Sequence, residues 1–335
     1  MTRYFSKDAL RTAFRNKFKR WVPVVEAEKG DVNTAMERFR SSTYMPINVD
    51  PKFSISRDSS VFTIGSCFAR NVENSLTDSG VDVITTKFNF DAALLQSSLG
   101  AMKNVPNPRS LLNKYSTQAI HSELERVLGK TNPKDRGFLE VEEGKWVDPQ
   151  LAAILQPLPF ETLSDLRDTV EDLVGKVLDA DIIFITLGLT ETWFDTISGL
   201  FLNSSPPPRL MKSAGERFEF INSTYDQSFS AIDKSIEMIR SKSNKDVKFI
   251  LTVSPVPMST TWSSQDVVVA NTYSKSLLRV VAQKLADTHD YIDYFPSFEM
   301  VTNSPRGLAW QDDELHVRPD MVKFVVSHFI AKYVV

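Results

Sequence analysis

The sequence predicts an α/β domain built around a parallel sheet. From residue 61 onward, short apolar runs alternate with longer stretches of helical periodicity, the pattern left by crossover units. Three of the apolar runs are continuous rather than alternating, as strands buried on both faces require. The expected strands are "VFTIGS" (61–66), "VDVITT" (81–86), "DIIFITLG" (181–188), "VKFILTVSP" (247–255) and "YIDYFPS" (291–297). Helical spacing predicts helices at about 69–79, 90–103, 109–129, 162–178, 224–242, 266–288 and 319–333. No internal repeat interrupts the series.

Two stretches break the alternation. Residues 100–160, with "NPKDRGFLEVEEGKWVDPQ", mix charge, Pro and Gly with short strand-like pieces and read as an inserted cap over the sheet edge. Residues 196–222 read as a hairpin or excursion around three consecutive prolines. Before the sheet, Leu10, Phe14, Phe18 and Trp21 fall at helical spacing among Arg11, Arg15, Lys17, Lys19 and Arg20. This predicts a basic amphipathic helix ending before Pro23, which either packs on its own domain or touches a membrane surface. Residues 22–60 read as a linker wrapping the domain, so the organisation expected is 1–60 and then one domain over 61–335.

Composition excludes several classes of function. With 39 basic and 42 acidic residues the net charge is −3, so the chain is not built to neutralise a polyanion, and nucleic acid is not an expected partner. One cysteine excludes an internal disulfide framework and a multi-cysteine metal site, so no metal is expected. No apolar run approaches the roughly 18 residues of a membrane span, and the N-terminus lacks a signal-peptide pattern. The chain reads as soluble and cytoplasmic.

In an open parallel sheet ligands sit beyond the carboxyl ends of the strands. The first strand ends in Gly65-Ser66-Cys67, the third in "TLGLTETW" with Gly188, Thr190 and Glu191, and the fifth is followed by "QDDELHVRPD". A serine on a tight strand-to-helix turn is held clear of its own backbone, next to the free N–H groups of a helix start that suit an oxyanion. It needs a base, which a histidine oriented by a carboxylate supplies. Asp313 and His316, three residues apart, are the candidate pair; Asp312 or Glu314 replaces Asp313 if the register differs. Ser66 has a structural alternative as a helix cap. Cys67, opposite Ser66 in the strand alternation, is expected to turn into the core. His121, His289 and His328 read as surface histidines.

"GSCFA" (65–69), with "TLGLTETW", "SPVPM" (254–258), "ANTYSKSLLR" (270–279), "YFPSFE" (294–299) and "DDELH", closely resembles the GSCFA domain family, a branch of the SGNH or GDSL-like hydrolase group. The resemblance spans about 60–320. It implies a flavodoxin-like three-layer αβα sandwich, with Ser66 in the nucleophile position and Asp313 and His316 in the DxxH motif. Ester chemistry is implied too, hydrolysis or acyl transfer on an acylated carbohydrate or lipid. Where the wider group has GxND, this chain has Thr190 and Glu191. Thr190, the Ser66 N–H and Asn89, which follows the second strand, are the candidate oxyanion donors; Gly65, Gly188 and Glu191 complete the expected site. No cofactor is required; acetyl-coenzyme A is the donor a transferase would use, with Lys103, Arg109 or Arg209 near its phosphates. The expected substrate is a small-molecule or glycan ester. A binding module that keeps the fold and has lost turnover is the competing function.

Overall fold

The computed structural model describes residues 5–24, 33–89, 91, 94, 107–129 and 136–335. Its strands are β1 (Ser60–Gly65), β2 (Asp82–Val83), β3 (Leu139–Glu142), β4 (Lys145–Val147), β5 (Ile182–Leu187), β6 (Glu191–Asp195), β7 (Leu200–Leu202), β8 (Phe218–Asn222), β9 (Lys248–Val253) and β10 (Ile292–Tyr294). The helices are α1 (Ser6–Arg15), α2 (Ala35–Ser41), α3 (Cys67–Asp78), α4 (Thr117–Leu128), α5 (Phe160–Gly175), α6 (Pro208–Ser213), α7 (Tyr225–Lys242), α8 (Val267–Thr288), α9 (Ser297–Thr302), α10 (Arg306–Ala309) and α11 (Pro319–Tyr333).

The five expected strands form one parallel sheet in the order β10-β9-β5-β1-β2. Counted along the chain within that sheet the order is 2-1-3-4-5, the flavodoxin-like arrangement. Alternation along each strand builds two cores. Phe62, Ile64, Ile183, Ile185, Phe249 and Leu251 face α4, α5, α7 and α8 on one side. Val61, Ile182, Phe184 and Ile250 face α3, α9 and α11 on the other. The result is a three-layer αβα sandwich.

The second strand is shorter than its sequence suggests. After Val83 the chain turns into a 3₁₀ segment, Ile84–Lys87, because the Thr85 hydroxyl bonds the buried Glu73 carboxylate of α3 instead of continuing the ladder. The helix expected over 90–103 lies largely outside the described residues. The inserted region does more than cap an edge. Its helix α4 packs on α7 within the flanking layer, β3 and β4 form a separate hairpin, and the segment between Asn113 and Ser116 runs beside the ends of the central strands.

That segment is anchored from below. Lys114 Nζ donates to Glu123 at 2.6 Å and to the Gln150 carbonyl at 2.5 Å, while Arg167 forks onto both Glu123 oxygens at 2.8 Å. All three charges are buried. Burial alone would raise the Glu123 carboxyl, but Arg167 and Lys114 outweigh it and bring it to about 2. In the same cluster Asp148 meets Arg167 at 3.4 Å.

Helix α1 ends at Arg15, short of Pro23, where the Asn16 side chain accepts the Phe18 N–H and so competes with the next helical turn. Leu10 and Phe14 of the apolar stripe are exposed, while Phe18 lies under the Arg38 guanidinium and Trp21 meets Phe39 of α2 at 5.8 Å. Further on, Ile55 pairs with Val334, the Lys52 N–H donates to Asp293, and His328 bonds the Ile47 carbonyl. Among the described residues no helix is long and apolar enough to cross a membrane.

Candidate active site

Beyond the carboxyl ends of β1, β5 and β9 lies a cleft of about 1550 Å³, lined by Ser66, His316 and Asp313 among others. Two local devices position them.

Ser66 stands between β1 and α3. Gly65 makes the corner: its φ is +134°, and a Cβ there would lie 2.8 Å from the Thr186 carbonyl carbon and closer still to its oxygen. Arg70, one turn into α3, donates to the Thr63 hydroxyl at 3.2 Å and pairs with Glu73 at 2.6 Å, pinning the start of the helix to β1. Ser66 precedes α3 in the capping position, yet its hydroxyl makes no capping bond. Its Oγ is buried and has no hydrogen-bond partner.

His316 is held by the turn that precedes α11. Its Nδ1 lies 2.6 Å from Asp313 Oδ2, and Asp313 Oδ1 accepts the N–H groups of Leu315 and His316 at 3.0 and 2.9 Å. These bonds, the imidazole bond foremost, lower the Asp313 carboxyl to about 2. With Nδ1 committed, Nε2 is the nitrogen left for chemistry. The turn depends on Glu314 adopting a left-handed φ of 55°. Asp312 is almost fully exposed and pairs with Arg318, while Glu314 pairs with Arg306, which settles the register on Asp313. The other three histidines are half-buried rather than on the surface: His121 bonds Ser235, His328 bonds the Ile47 carbonyl, and His289 lies 3.5 Å from Asp233.

A profile of the GSCFA family matches residues 60–329. The chain belongs to the GSCFA family. No curated protein matches it. Among solved structures it is similar to a family 3 carbohydrate esterase of Clostridium thermocellum, at 9% identity over 83% of this chain and 94% of that one, with a TM-score of 0.33. A family 3 carbohydrate esterase from Talaromyces cellulolyticus gives 12% identity over 82% and 95%, with a TM-score of 0.32. These identities and scores are too low to transfer an activity.

Within this GSCFA site, two of the oxyanion donors named from sequence are engaged elsewhere and the third lies outside the cleft. The Ser66 N–H donates to the Thr186 carbonyl at 3.1 Å as the last rung of the sheet. Thr190 is fully buried; its hydroxyl donates to Asn222 at 2.7 Å and its N–H to Ser274 at 2.9 Å, so it braces β6 against β8 and α8. Asn89 is exposed and is not part of the cleft lining. Gly188 does line the cleft, with room for no side chain: a Cβ would sit 3.3 Å from Ser66 Cβ and collide with the Tyr115 carbonyl. Glu191 lines it too, with its carboxylate accepting the Thr261 hydroxyl at 2.6 Å and the Trp262 N–H at 3.1 Å.

Three cleft residues escaped the sequence reading or were misplaced by it. Asn113 pairs in parallel with Gly65, beside Ser66, and its buried side-chain oxygen has no partner. Its only sequence signal is an amide in a polar insertion, because proximity to Gly65 arises from the long-range pairing. Lys275 reaches the cleft floor from α8 and donates to the Gly188 and Val256 carbonyls at 2.7 Å each. Burial brings its ammonium down to about 7. Cys67 does not turn into the core: as the first residue of α3 it is half-exposed on the cleft wall, since the chain leaves strand geometry at Ser66. Burial pushes its thiol up, against thiolate chemistry.

Arg109 bonds Asn74, Arg209 is not part of the cleft lining, and Lys103 falls outside the described residues. Of the cations that do line the cleft, Lys275 holds two carbonyls and Arg318 pairs with Asp312.

Proposed function

We propose that this GSCFA protein is a serine ester hydrolase that removes an acyl group, acetyl foremost, from a carbohydrate. The observation that carries the reading is the buried, unpartnered Ser66 Oγ in the same cleft as an Asp313-bonded His316. His316 Nε2 takes the Ser66 proton as Oγ attacks the ester carbonyl, while Asp313 holds the ring and stabilises the imidazolium. The opening N–H groups of α3 and the Nδ2–H of Asn113, whose amide lies beside Ser66, donate to the oxyanion. Collapse expels the sugar oxygen, which takes the proton from His316 and leaves an acyl-serine. Water, deprotonated by His316, then releases the acid and restores the serine.

Intact-mass measurement after brief exposure to 4-nitrophenyl acetate tests this directly. One acetyl adduct is expected on wild type and none on Ser66→Ala; an adduct on both, or on neither after acid trapping, contradicts the acyl-enzyme. Transfer from acetyl-coenzyme A shares every step up to that intermediate. The carboxylates of the lining, Glu191, Asp312, Asp313 and Asp320, favour hydrolysis over a phosphate-rich donor, and an adduct formed faster from acetyl-coenzyme A would reverse that preference. The second reading, a binding module without turnover, draws on the bonded state of Thr190, and intact ligand binding with no adduct would support it.

Asn113→Ala is expected to lower kcat by about 10²-fold with little change in KM, the loss of one oxyanion donor. Equal kcat in the two proteins would remove Asn113 from the mechanism. Since its hydrogen bonds, that to His316 foremost, depress the Asp313 carboxyl to about 2, its negative charge is complete above the ordinary carboxylate range and is lost only as pH falls towards 2. Asp313 is therefore expected to contribute no limb to kcat/KM above pH 4; a limb there that disappears in Asp313→Asn would overturn this.

A further inference from the structure

One wall of the cleft is aromatic. The three-stranded antiparallel sheet β7-β6-β8 sets Trp193 directly opposite Phe220 in register, with ring centroids 5.6 Å apart. Trp262, on the loop between β9 and α8, meets Trp193 nearly edge-on at 5.1 Å and 85°. All three rings line the cleft that holds Ser66. Trp262 is 45% exposed, an unusual expense of apolar surface for a residue whose own backbone is tied down. The tie is Glu191, which accepts both the Trp262 N–H and the Thr261 hydroxyl, so the indole is presented from a fixed loop. Trp193 Nε1 is buried with no hydrogen-bond partner.

The same cleft is lined by neutral hydroxyl residues, among them Ser110, Ser205, Ser259 and Thr260. An alkyl chain in this space would satisfy the rings and strand the hydroxyls. A polyanion would meet Glu191, Asp312, Asp313 and Asp320 in the same lining, with Lys275 spent on two carbonyls and Arg318 paired with Asp312. A pyranose ring suits this mixture: its C–H face lies on an aromatic plate while its hydroxyls bond polar residues of the lining.

We propose that Trp262, backed by Trp193 and Phe220, is a stacking platform for a sugar ring of an oligosaccharide substrate, and that Glu191 is the positioning residue that holds the platform in place. This subsite rests on the reading of the substrate as a carbohydrate ester.

The test uses the full chain with Ser66→Ala, so that binding is measured without turnover, and a probe set of xylotetraose, cellotetraose and chitotetraose. At least one tetraose is expected to bind by calorimetry and to move the indole N–H resonances of Trp193 and Trp262, which are identified by Trp→Phe replacement. Trp262→Ala should weaken that binding by about tenfold, and Trp262→Phe should restore most of it. In the Ser66-containing protein, Trp262→Ala should lower kcat/KM for the acetylated tetraose by about tenfold. The loss on 4-nitrophenyl acetate, which carries no sugar, should be at least about fivefold smaller. No binding by any tetraose at 10 mM, unchanged affinity in Trp262→Ala, or indole shifts caused by decanoate instead of a saccharide would each overturn the platform. Tetraose binding without any ester turnover would leave the subsite standing and remove the hydrolase; equal loss on both esters would do the reverse.

Discussion

Ser66→Ala will unfold at the same urea concentration as wild type, or slightly above it, while losing about 10³-fold or more of ester turnover. Both halves of that result come from one atom. Ser66 Oγ is buried yet gives and receives no hydrogen bond, and it does not cap α3 although the residue occupies the capping position. Its removal therefore breaks no interaction of the resting fold and relieves a buried polar group, so the stability change should stay within about 0.5 kcal/mol of zero or favour the variant. A serine that merely capped the helix would behave oppositely, costing about 1 kcal/mol on replacement and leaving chemistry alone. Urea denaturation beside kcat/KM on 4-nitrophenyl acetate separates the two. A clear loss of stability with retained turnover would return Ser66 to a structural role.

Gly65→Ala will do the reverse and damage the fold first. The residue holds a φ of +134°, and its Cα approaches the Thr186 backbone so closely that a methyl group has nowhere to go. Strain from the backbone conformation and overpacking against a central strand together amount to about 3–5 kcal/mol. That is a large share of the roughly 5–15 kcal/mol of an ordinary domain. Relief by displacement is blocked on both sides, because β1 is paired with β5 through Gly65 and Thr186, and the Gly65 carbonyl accepts the Lys114 N–H at 2.7 Å. The expected readout is a urea midpoint lowered in proportion, with turnover lost through displacement of Ser66. A change below about 1 kcal/mol would show that the corner can open.

The central sheet was legible because its strands are apolar on both faces and its helices amphipathic on one; those patterns depend on neighbours in sequence. β5 and β9 and the helices α5, α7, α8 and α11 lie within a few residues of their expected limits. The same holds for the Asp313–His316 pair, whose bond closes within a single turn. Thr190 and Asn89 show the limit of such reading. Each stood near the right edge of the sheet, but whether a hydroxyl is free or spent depends on partners far away in sequence, here Asn222 and Ser274 for Thr190. Asn113 failed in the opposite direction: an unremarkable amide in a polar insertion becomes a cleft residue because Asn113 and Tyr115 meet the ends of β1 and β5.

By itself, then, the sequence determined the α/β class, the corner that presents Ser66 and the acid–histidine turn, since all three rest on local periodicity, backbone permissiveness or contacts within a few residues. The tertiary structure decided which donors remain available, that Cys67 faces the cleft and that Trp193, Phe220 and Trp262 come together in its lining. Those facts depend on pairing between segments tens of residues or more apart, and no local property of the chain encodes which of its polar atoms will be left without a partner.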